Sequence, residues 1–433
     1  MTNSRSTPGA ASSEPLATHT AVLRTEIDGT SSSRRDRLWQ EITRGNALIA
    51  VLSVALALLI GAVLIAATNE RVQTASQYFF GRPGDTFAAI GDAVFGAYSA
   101  LFQGAIYNFR RPDFADGIRP LFETLTFATP LIVAGLGIAI TFRVGLFNIG
   151  GQGQILVAAA AAGWVGSAPN MPWGLHLAFA LAAALIAGAL WAGIAGALKA
   201  GTGANEVITT IMLNYIAFYL VAYLLRTPGM LQAPGSSNPI SPATAPTAQL
   251  PRILGSAYSV HLGFIIALLA VAGVWWILNR SSLGFSFRAV GLNPSAARVA
   301  GMKVRSIYVY AMLISGALVG LAGASQVLGT TTTGFSSGID AGIGFDALTV
   351  ALLGRSTPVG VLLAGLLFGA LKAGGFSMQA DEGVPIDIIL VVQSLIVLFI
   401  AAPPLVRAIF RLRTPGSTPT PARRNALTGE NAK

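Results

Sequence analysis

The 433-residue sequence contains no cysteine, only three histidines and only four lysines. The absence of cysteine excludes disulfides, thiolate catalysis and cysteine-ligated metal sites. The histidines are far apart and no HExxH motif occurs, so no metal centre is indicated. No lysine stands in a Walker A context, which excludes that nucleotide-binding loop. We therefore expect a chain that is not an enzyme and binds no cofactor itself.

Charged residues are also scarce. They make up 11% of the chain, whereas 53% of residues are hydrophobic and the mean hydropathy is +0.64. Soluble proteins carry about a quarter of their residues as charges. With the apolar residues gathered in long runs, the sequence predicts an all-α, polytopic membrane protein in which lipid is the solvent.

The net charge of +10 is concentrated in short segments, chiefly the acid-free stretch 280–306 and the tail after Pro404. Short basic loops beside apolar helices are retained on the cytoplasmic side of a membrane. We interpret these charges as topology signals, with contact to lipid headgroups as a second use, and expect no nucleic-acid partner. Both termini are then predicted to be cytoplasmic.

Ten membrane-spanning segments give the most consistent charge topology. Segment 345–354 is short for about 30 Å of hydrocarbon, so we interpret it as one arm of a broken or re-entrant pair that turns at 354–358. The segments are predicted at about 46–67, 121–142, 154–166, 175–198, 207–225, 262–278, 307–328, 345–354, 358–373 and 386–402.

The chain is predicted to have four parts. Residues 1–45 have the composition of a disordered cytoplasmic tail. Residues 46–118 comprise the first transmembrane helix and an external amphipathic segment, 87–109, that lies on or dips into the outer face; a full span is the alternative. Residues 119–404 form the main transmembrane domain, with a cytoplasmic segment at 281–306, and 405–433 form a basic cytoplasmic tail.

The first polar cluster follows the second span. Four glycines occur among residues 145–153, together with Asn148 and, just beyond, Gln154. Backbone that leaves the helical conformation inside a membrane must line a cavity or be buried in protein. The cluster therefore indicates either part of a transport pathway or a site of tight helix packing, and the residues alone do not choose between them.

Two further clusters resemble each other. Asn205 and Glu206 begin one predicted helix, and Asn214 lies deeper within it, where a polar group is costly without a partner. Glu206 is favoured by the helix dipole and is interpreted as structural, whereas Asn214 has a pathway or inter-helix role. Aligning 205–209 with 345–349 matches Glu206 to Asp346 and threonine to threonine, which predicts an inverted repeat.

The cytoplasmic segment 281–306 contains a short helix of small residues. Asn293 followed by proline is a helix start, Ala296 and Ala297 continue the helix with Arg298, and Gly301 ends it. Such a helix suits docking into a groove of a soluble partner. The alternative is an inert surface helix held by lipid headgroups.

These motifs together resemble the permeases of bacterial ATP-binding-cassette (ABC) importers for nucleosides and simple sugars, which are more distantly similar to branched-chain amino acid permeases. The resemblance runs from about Ile118 to Ala402. The residues that carry it are 145–150 with 153–154, 205–208 with 212–215, 291–293 with 296–298 and 301, 314–317, and 344–346 with 351–354.

The resemblance implies partners and roles. The partners are a second homologous permease, an ABC ATPase that holds ATP and Mg²⁺, and an extracytoplasmic substrate-binding protein, often a lipoprotein. Residues 292–302 match the helix that couples the permease to the ATPase, with Asn293, Ala296, Ala297, Arg298 and Gly301 as its candidate residues. Candidate pathway residues are Asn148, Gln154, Asn205, Asn214 and Asp346. Gly151 and Gln152 depart from the Ala-Glu that relatives commonly carry, which weakens a cargo role there.

The function implied is import of a nucleoside or simple sugar across the bacterial cytoplasmic membrane by alternating access, driven by the separate ATPase. The alternative is a secondary transporter driven by protons or sodium, with Glu206, Asp346 or Asp387 as relay carboxylates. The exact cargo is left open by the sequence.

Overall fold

The computed structural model describes residues 46–169 and 171–411, and the backbone there is almost entirely helical. The helices are α1 (Asn46–Thr68), α2 (Glu70–Ser76), α3 (Pro83–Ala105), α4 (Phe114–Gly117), α5 (Arg119–Arg143), α6 (Gly151–Gly166), α7 (Leu175–Thr202), α8 (Glu206–Leu224), α9 (Gly263–Arg280), α10 (Ser282–Leu292), α11 (Pro294–Val299), α12 (Val304–Ser325, continued by a π-helical turn, Gln326–Thr330), α13 (Ile343–Leu353), α14 (Pro358–Glu382), α15 (Asp387–Ala401) and α16 (Pro403–Ile409).

The all-α, polytopic membrane architecture predicted from the sequence is confirmed. Seven helices in the described ranges are long and apolar enough to cross a membrane: α1, α5, α7, α8, α9, α12 and α14. The other three of the ten predicted segments correspond to shorter helices, α6, α13 and α15. The predicted N-terminal tail, 1–45, and the end of the basic tail, 412–433, lie outside the described residues.

Two antiparallel helix pairs form the centre of the molecule. In the first pair, Gly188 of α7 lies beside Gly316 of α12, and Ala184 lies beside Gly320. Because one residue number rises while the other falls, these helices run in opposite directions. Small residues allow the two backbones to approach closely where no water is available to drive association.

The second pair, α5 and α14, packs in the same manner. Ala128 of α5 lies against Gly369 of α14, and Ile132 lies against Gly365. Helices α5 and α12, one from each pair, also pack extensively on each other. The interior of this four-helix centre is formed by fully buried aliphatic side chains of α5 and α12, among them Leu136 and Val319.

The contacts between these helices follow the pattern of an inverted repeat. If α5, α6, α7 and α8 are matched with α12, α13, α14 and α15, each helix contact in one half has its counterpart in the other. The pattern supports the predicted repeat but not the predicted register, since aligning 205–209 with 345–349 would match α8 with α13. An acidic residue in the first turn is favoured at any helix N-terminus, so that short similarity arises from local chemistry.

Several basic helix ends meet at one end of the molecule, which we call the basic face. There Gly291 packs on the backbone of Arg143, whose Nε donates a hydrogen bond to the carbonyl oxygen of Ser356 at 3.0 Å. The predicted turn at 354–358 lies here, with Arg355 and Ser356 both at φ 52°. Cationic residues of this end are Arg143, Lys199, Arg280, Arg288, Arg298, Lys303, Arg305 and Arg355.

The opposite end is closed by an irregular segment, 226–262. The segment binds the π-helical turn: the backbone amide of Leu250 donates to the carbonyl of Leu328 at 2.7 Å, and the side-chain hydroxyl of Thr244 donates to the carbonyl of Val327 at 3.0 Å. Burial lowers the pKa of His261 in this segment to about 4, with a smaller contribution from Arg252, so the imidazole is neutral at physiological pH.

Helix α3 covers the segment predicted to lie on or dip into the outer face. It packs beside the last turns of α14, with Gly96 near Glu382 and Gly104 near Ser377 and Gly374. The helix therefore runs alongside the part of α14 farthest from the basic face. Its hydropathy does not place it among the seven spanning helices of the described chain.

Candidate functional site

The centre of the molecule contains two half-helices whose N-termini meet. Helix α6 has 16 residues and α13 has 11, which gives lengths of about 24 Å and 16 Å, each less than the hydrocarbon thickness of about 30 Å. Helix α13 runs from this point to the basic face, whereas α6 runs to the opposite end. Their first turns touch through Gly151 and Gly344.

This contact is closer than side chains would allow. A β-carbon on Gly151 would lie 2.9 Å from the carbonyl oxygen of Gly344, and one on Gly344 would overlap the backbone nitrogen of Gln152. The irregular backbone before each half-helix, 144–150 and 331–342, is thereby held at membrane depth. Exposed amide groups at that depth need partners inside the protein.

Asn148 and Gln154 satisfy part of this need in the first repeat. The Asn148 Oδ1 accepts from the backbone amide of Gly150 at 2.9 Å and from Gln154 Nε2 at 3.0 Å, while its Nδ2 donates to the Ser315 hydroxyl at 3.0 Å. Asn148, Gln154 and Ser315 are all fully buried. In this conformation, their polar atoms bind one another rather than facing an open space.

Asn214 completes the same network from α8. Its Oδ1 accepts from the amide of Gly153 at 2.8 Å, and its Nδ2 donates to the carbonyl oxygen of Ile149 at 2.9 Å. The amide of Gly153 belongs to the first turn of α6, where no intrahelical acceptor exists. Asn214 therefore has the inter-helix role that its position deep in an apolar segment predicts.

An ion pair stabilises the second half-helix. Lys372 Nζ of α14 lies 2.8 Å from the Asp346 carboxylate in the first turn of α13 and also donates to the carbonyl of Ala341 at 3.1 Å. Nearby, the side-chain nitrogen of Gln152, Nε2, is 3.5 Å from the carboxylate oxygen Oδ1 of Asp340. This cluster brings both half-helices, the 331–342 segment and α14 together at one point.

A second lysine also pairs with a carboxylate, but at a different depth. Lys199 is near the end of α7, whereas Lys372 lies in the middle of α14. Lys199 Nζ lies 2.7 Å from the carboxylate of Glu206 at the basic face. The two repeats thus each carry a lysine–carboxylate pair, but the acidic partner lies on a different helix in each.

The five residues predicted for the pathway do not form one cluster. Asn148, Gln154 and Asn214 share the buried network, and Asp346 lies across the half-helix contact with Lys372. Asn205 is exposed at the basic face, where its side chain caps α8 by accepting from the amides of Val207 and Ile208. A role in the pathway stays a prediction for all five.

The short helix predicted within 281–306 is present as α11, and its role in coupling stays a prediction. Asn293 caps it by accepting from the amides of Ser295 and Ala296, both at 3.0 Å, and Gly301 follows at a φ of 85°. Arg298 is exposed, but Ala297 is buried against the protein. The face that meets solvent is therefore not the one that carries Ala297.

Two exposed apolar side chains lie at the two ends of this helix, and no sequence pattern had indicated them as candidates. Leu292 is 88% exposed and Val299 is 91% exposed, although both lie at the basic face and outside the spanning helices. Both side chains are available for contact with another protein, although single exposed apolar residues are common on protein surfaces. Val299 is the large apolar residue of α11, and Leu292 directly precedes the Asn293 cap; these positions were the available signal.

Comparison with known proteins identifies the family. Residues 121–401 match the family described as the branched-chain amino acid transport system / permease component. A guanosine ABC transporter permease protein of Bacillus subtilis is 41% identical over 74% of this chain and 89% of its own length. The chain belongs to this family of ABC transporter permeases.

Other relatives of the permease differ in their named cargo. A glucose ABC transporter permease protein of Haloferax volcanii is 37% identical over 65% of the chain and 75% of its own length. A nucleoside ABC transporter permease protein of Lactococcus lactis is 35% identical over 65% and 79%, respectively. No solved structure matches the permease.

Substitutions of Lys372 and Asp346 should have strongly non-additive effects on the free energy of unfolding. The side chains are only 16% and 19% exposed, so Lys372→Met leaves a buried carboxylate without its cation and should lower the free energy of unfolding in mild detergent by about 3–5 kcal/mol. Asp346→Leu should do the same, and the double variant should lose much less than the sum.

The exposed pair Arg82–Asp85, with side chains 81% and 66% exposed, provides the control. Arg82→Met should leave the unfolding curve unchanged because surface pairs are screened by water. Strictly additive losses at Lys372 and Asp346 would contradict the assigned ion pair.

Proposed function

We propose that this permease is the membrane-spanning subunit of an importer that carries a nucleoside or a simple sugar across the bacterial cytoplasmic membrane. The observation that carries the proposal is the 41% identity to a guanosine permease over 74% of the chain. The family match over residues 121–401 includes both half-helices and the α11 segment. Other relatives are named for nucleosides and glucose, so both cargo classes belong to the proposal.

The energy for transport comes, in this proposal, from a separate ABC ATPase that binds ATP and Mg²⁺. The exposed Leu292 and Val299 around α11 supply an apolar contact for that partner. A second homologous permease completes the membrane passage, and an extracytoplasmic binding protein, often a lipoprotein, delivers the cargo. The permease chain itself supplies no cofactor.

The basic face is then cytoplasmic, and both termini lie on that side. The positive-inside tendency of short loops supports this orientation, because Arg280, Arg288, Arg298, Lys303 and Arg305 lie within 26 residues without an acid. The same orientation puts α11 on the side of the membrane where ATP is available.

A direct mechanical path connects α11 to the half-helices. Gly291, two residues before the Asn293 cap, packs on the backbone of Arg143, and segment 144–150 leads from there to the Asn148 network. Arg143 also binds Ser356, at the end of the turn that follows α13. Movement of α11 on ATPase closure would therefore reach both half-helices and alternate the opening of the passage, which is the basis of alternating access in repeat transporters.

An ion-coupled transporter is the competing function. It requires carboxylates free to bind a proton or sodium, yet Glu206 and Asp346 are each held by a lysine at 2.7–2.8 Å. Asp387 is exposed at the start of α15. These contacts favour the ATP-driven mechanism over relay chemistry.

Uptake in sealed vesicles tests the proposed function. With the companion ATPase, second permease and binding protein present, radiolabelled guanosine or glucose should accumulate only when ATP is supplied to the cytoplasmic side. Dissipating proton and sodium gradients should leave uptake intact. Accumulation that needs an ion gradient but neither ATP nor a binding protein would establish the competing function instead.

Substitutions at α11 test the coupling surface. Leu292→Asp and Val299→Asp should each abolish co-purification of the ATPase and ATP-driven uptake while the permease keeps its melting temperature, because both side chains are exposed. Leu254→Asp is the matched control, since Leu254 is 48% exposed in the segment at the opposite end. Ala297→Asp is a poorer test because burial of that side chain would disturb folding. Unchanged ATPase binding by the Leu292 and Val299 variants would refute the assignment.

A further inference from the structure

Helix α8 presents an unusual outer surface. Met212, Tyr215, Tyr219 and Tyr223 follow one another at spacings of three and four residues, which puts them on one side of the helix. The exposed fractions of the three tyrosines are 59%, 68% and 63%. We call these four residues the tyrosine stripe; Ile208, Ile216 and Leu220 are exposed beside them, and the opposite side of α8, with Asn214, packs on α6 and α7.

The depth of the stripe follows from the contacts of its neighbour. Asn214 binds Gly153 and Ile149, where the two half-helices meet inside the membrane. Tyr215 is the next residue and therefore lies at nearly the same depth, with Tyr219 about 6 Å nearer the opposite end. Tyrosine is usual at the membrane interfaces, where its hydroxyl meets water, but not at this depth.

The hydroxyl groups of Tyr215 and Tyr219 have no hydrogen-bond partner among the described residues, whereas Tyr223 is in the last turn of α8 and nearer the interface. A hydroxyl transferred from water to hydrocarbon without a partner costs several kcal/mol. A lipid-facing surface at this depth should therefore avoid tyrosine. The neighbouring helix α7 does so, since its exposed residues at the corresponding spacing are aliphatic: Ile186, Leu190, Ile194 and Leu198.

We infer that the tyrosine stripe lines the cargo passage and recognises a planar nucleobase through ring stacking and the phenol hydroxyls. The inference rests on the proposed function and narrows its cargo from nucleoside or sugar to nucleoside. Successive aromatic rings along one helix give a flat heterocycle several stacking positions, each worth about 1–3 kcal/mol by alanine substitution. The phenol hydroxyls can donate to ring nitrogens and carbonyl oxygens of a base and accept from its N–H groups.

The natural absence of cysteine allows a direct test in the assembled transporter. Met212→Cys introduces a thiol into the stripe and leaves all three tyrosines in place, whereas Leu190→Cys, 62% exposed on α7, introduces one into the aliphatic surface. A water-soluble cationic methanethiosulfonate reagent should modify the Met212 variant at least about tenfold faster. Guanosine should slow that reaction, and glucose should not.

Uptake measurements test whether the ring of Tyr219 contributes to guanosine binding, which the accessibility of a cysteine does not show. Tyr219→Leu should raise the KM for guanosine by about five- to a hundredfold, the equivalent of one lost stacking contact, while Tyr219→Phe keeps the ring and should have a smaller effect. Melting temperature and ATPase binding of both variants should match the unaltered permease, because Tyr219 is exposed.

Three results would overturn the inference. Equal, slow labelling of both cysteines would show that the stripe faces lipid. Cross-linking of the Met212 variant to the second permease by a maleimide–succinimidyl ester reagent, which joins the thiol to a neighbouring amine, would show a subunit interface. Equal protection by guanosine and glucose, or unchanged guanosine uptake by Tyr219→Leu, would exclude base recognition. If the unaltered transporter shows no ATP-driven guanosine uptake, the proposed nucleoside function fails as well, a separate result because it precedes any substitution.

Discussion

The contact between Gly151 and Gly344 is the constraint on which the rest of the structure depends. It brings the first turns of two half-helices together inside the membrane, one running to the basic face and the other away from it. Because neither position accommodates a β-carbon, both glycines are required by the approach of the backbones. Two helix ends at this depth leave amide groups that neither water nor lipid can satisfy.

The polar residues of the centre follow from that requirement. Asn148, Asn214 and Gln154 supply acceptors and donors to the backbone near α6, and Asp346 with Lys372 serves the start of α13. These groups make the broken helices stable in an apolar solvent. They also create polar centres that a small rearrangement could expose, which is how discontinuous helices serve transport in other repeat proteins.

Much of this arrangement could be predicted from the sequence because its signals are local. A short apolar run ending in a turn predicted α13, a glycine-rich stretch predicted the break before α6, and an Asn-Pro pair predicted the start of α11. A single polar residue in an apolar helix similarly indicated the inter-helix contact of Asn214.

The remaining features depend on contacts between distant segments. Lys372 pairs with Asp346 across 26 residues, which no local spacing predicts. The match of α6 with α13, rather than α8 with α13, appears only when the packing of whole helices is compared. The inward orientation of Ala297 likewise depends on how α11 lies on the protein. For the same reason, the sequence did not indicate that Leu292 and Val299 are the exposed apolar residues near this helix.

The most direct measurement of the central constraint is the stability and transport of Gly344→Ala. Its β-carbon would overlap the backbone of Gln152, so this variant should lose about 2–3 kcal/mol of unfolding free energy and should lose ATP-driven uptake. Gly338→Ala, whose β-carbon would be 3.9 Å from the Ser336 side chain, should behave as the unaltered permease. A Gly344→Ala permease with unchanged stability and uptake would contradict the contact between the half-helices.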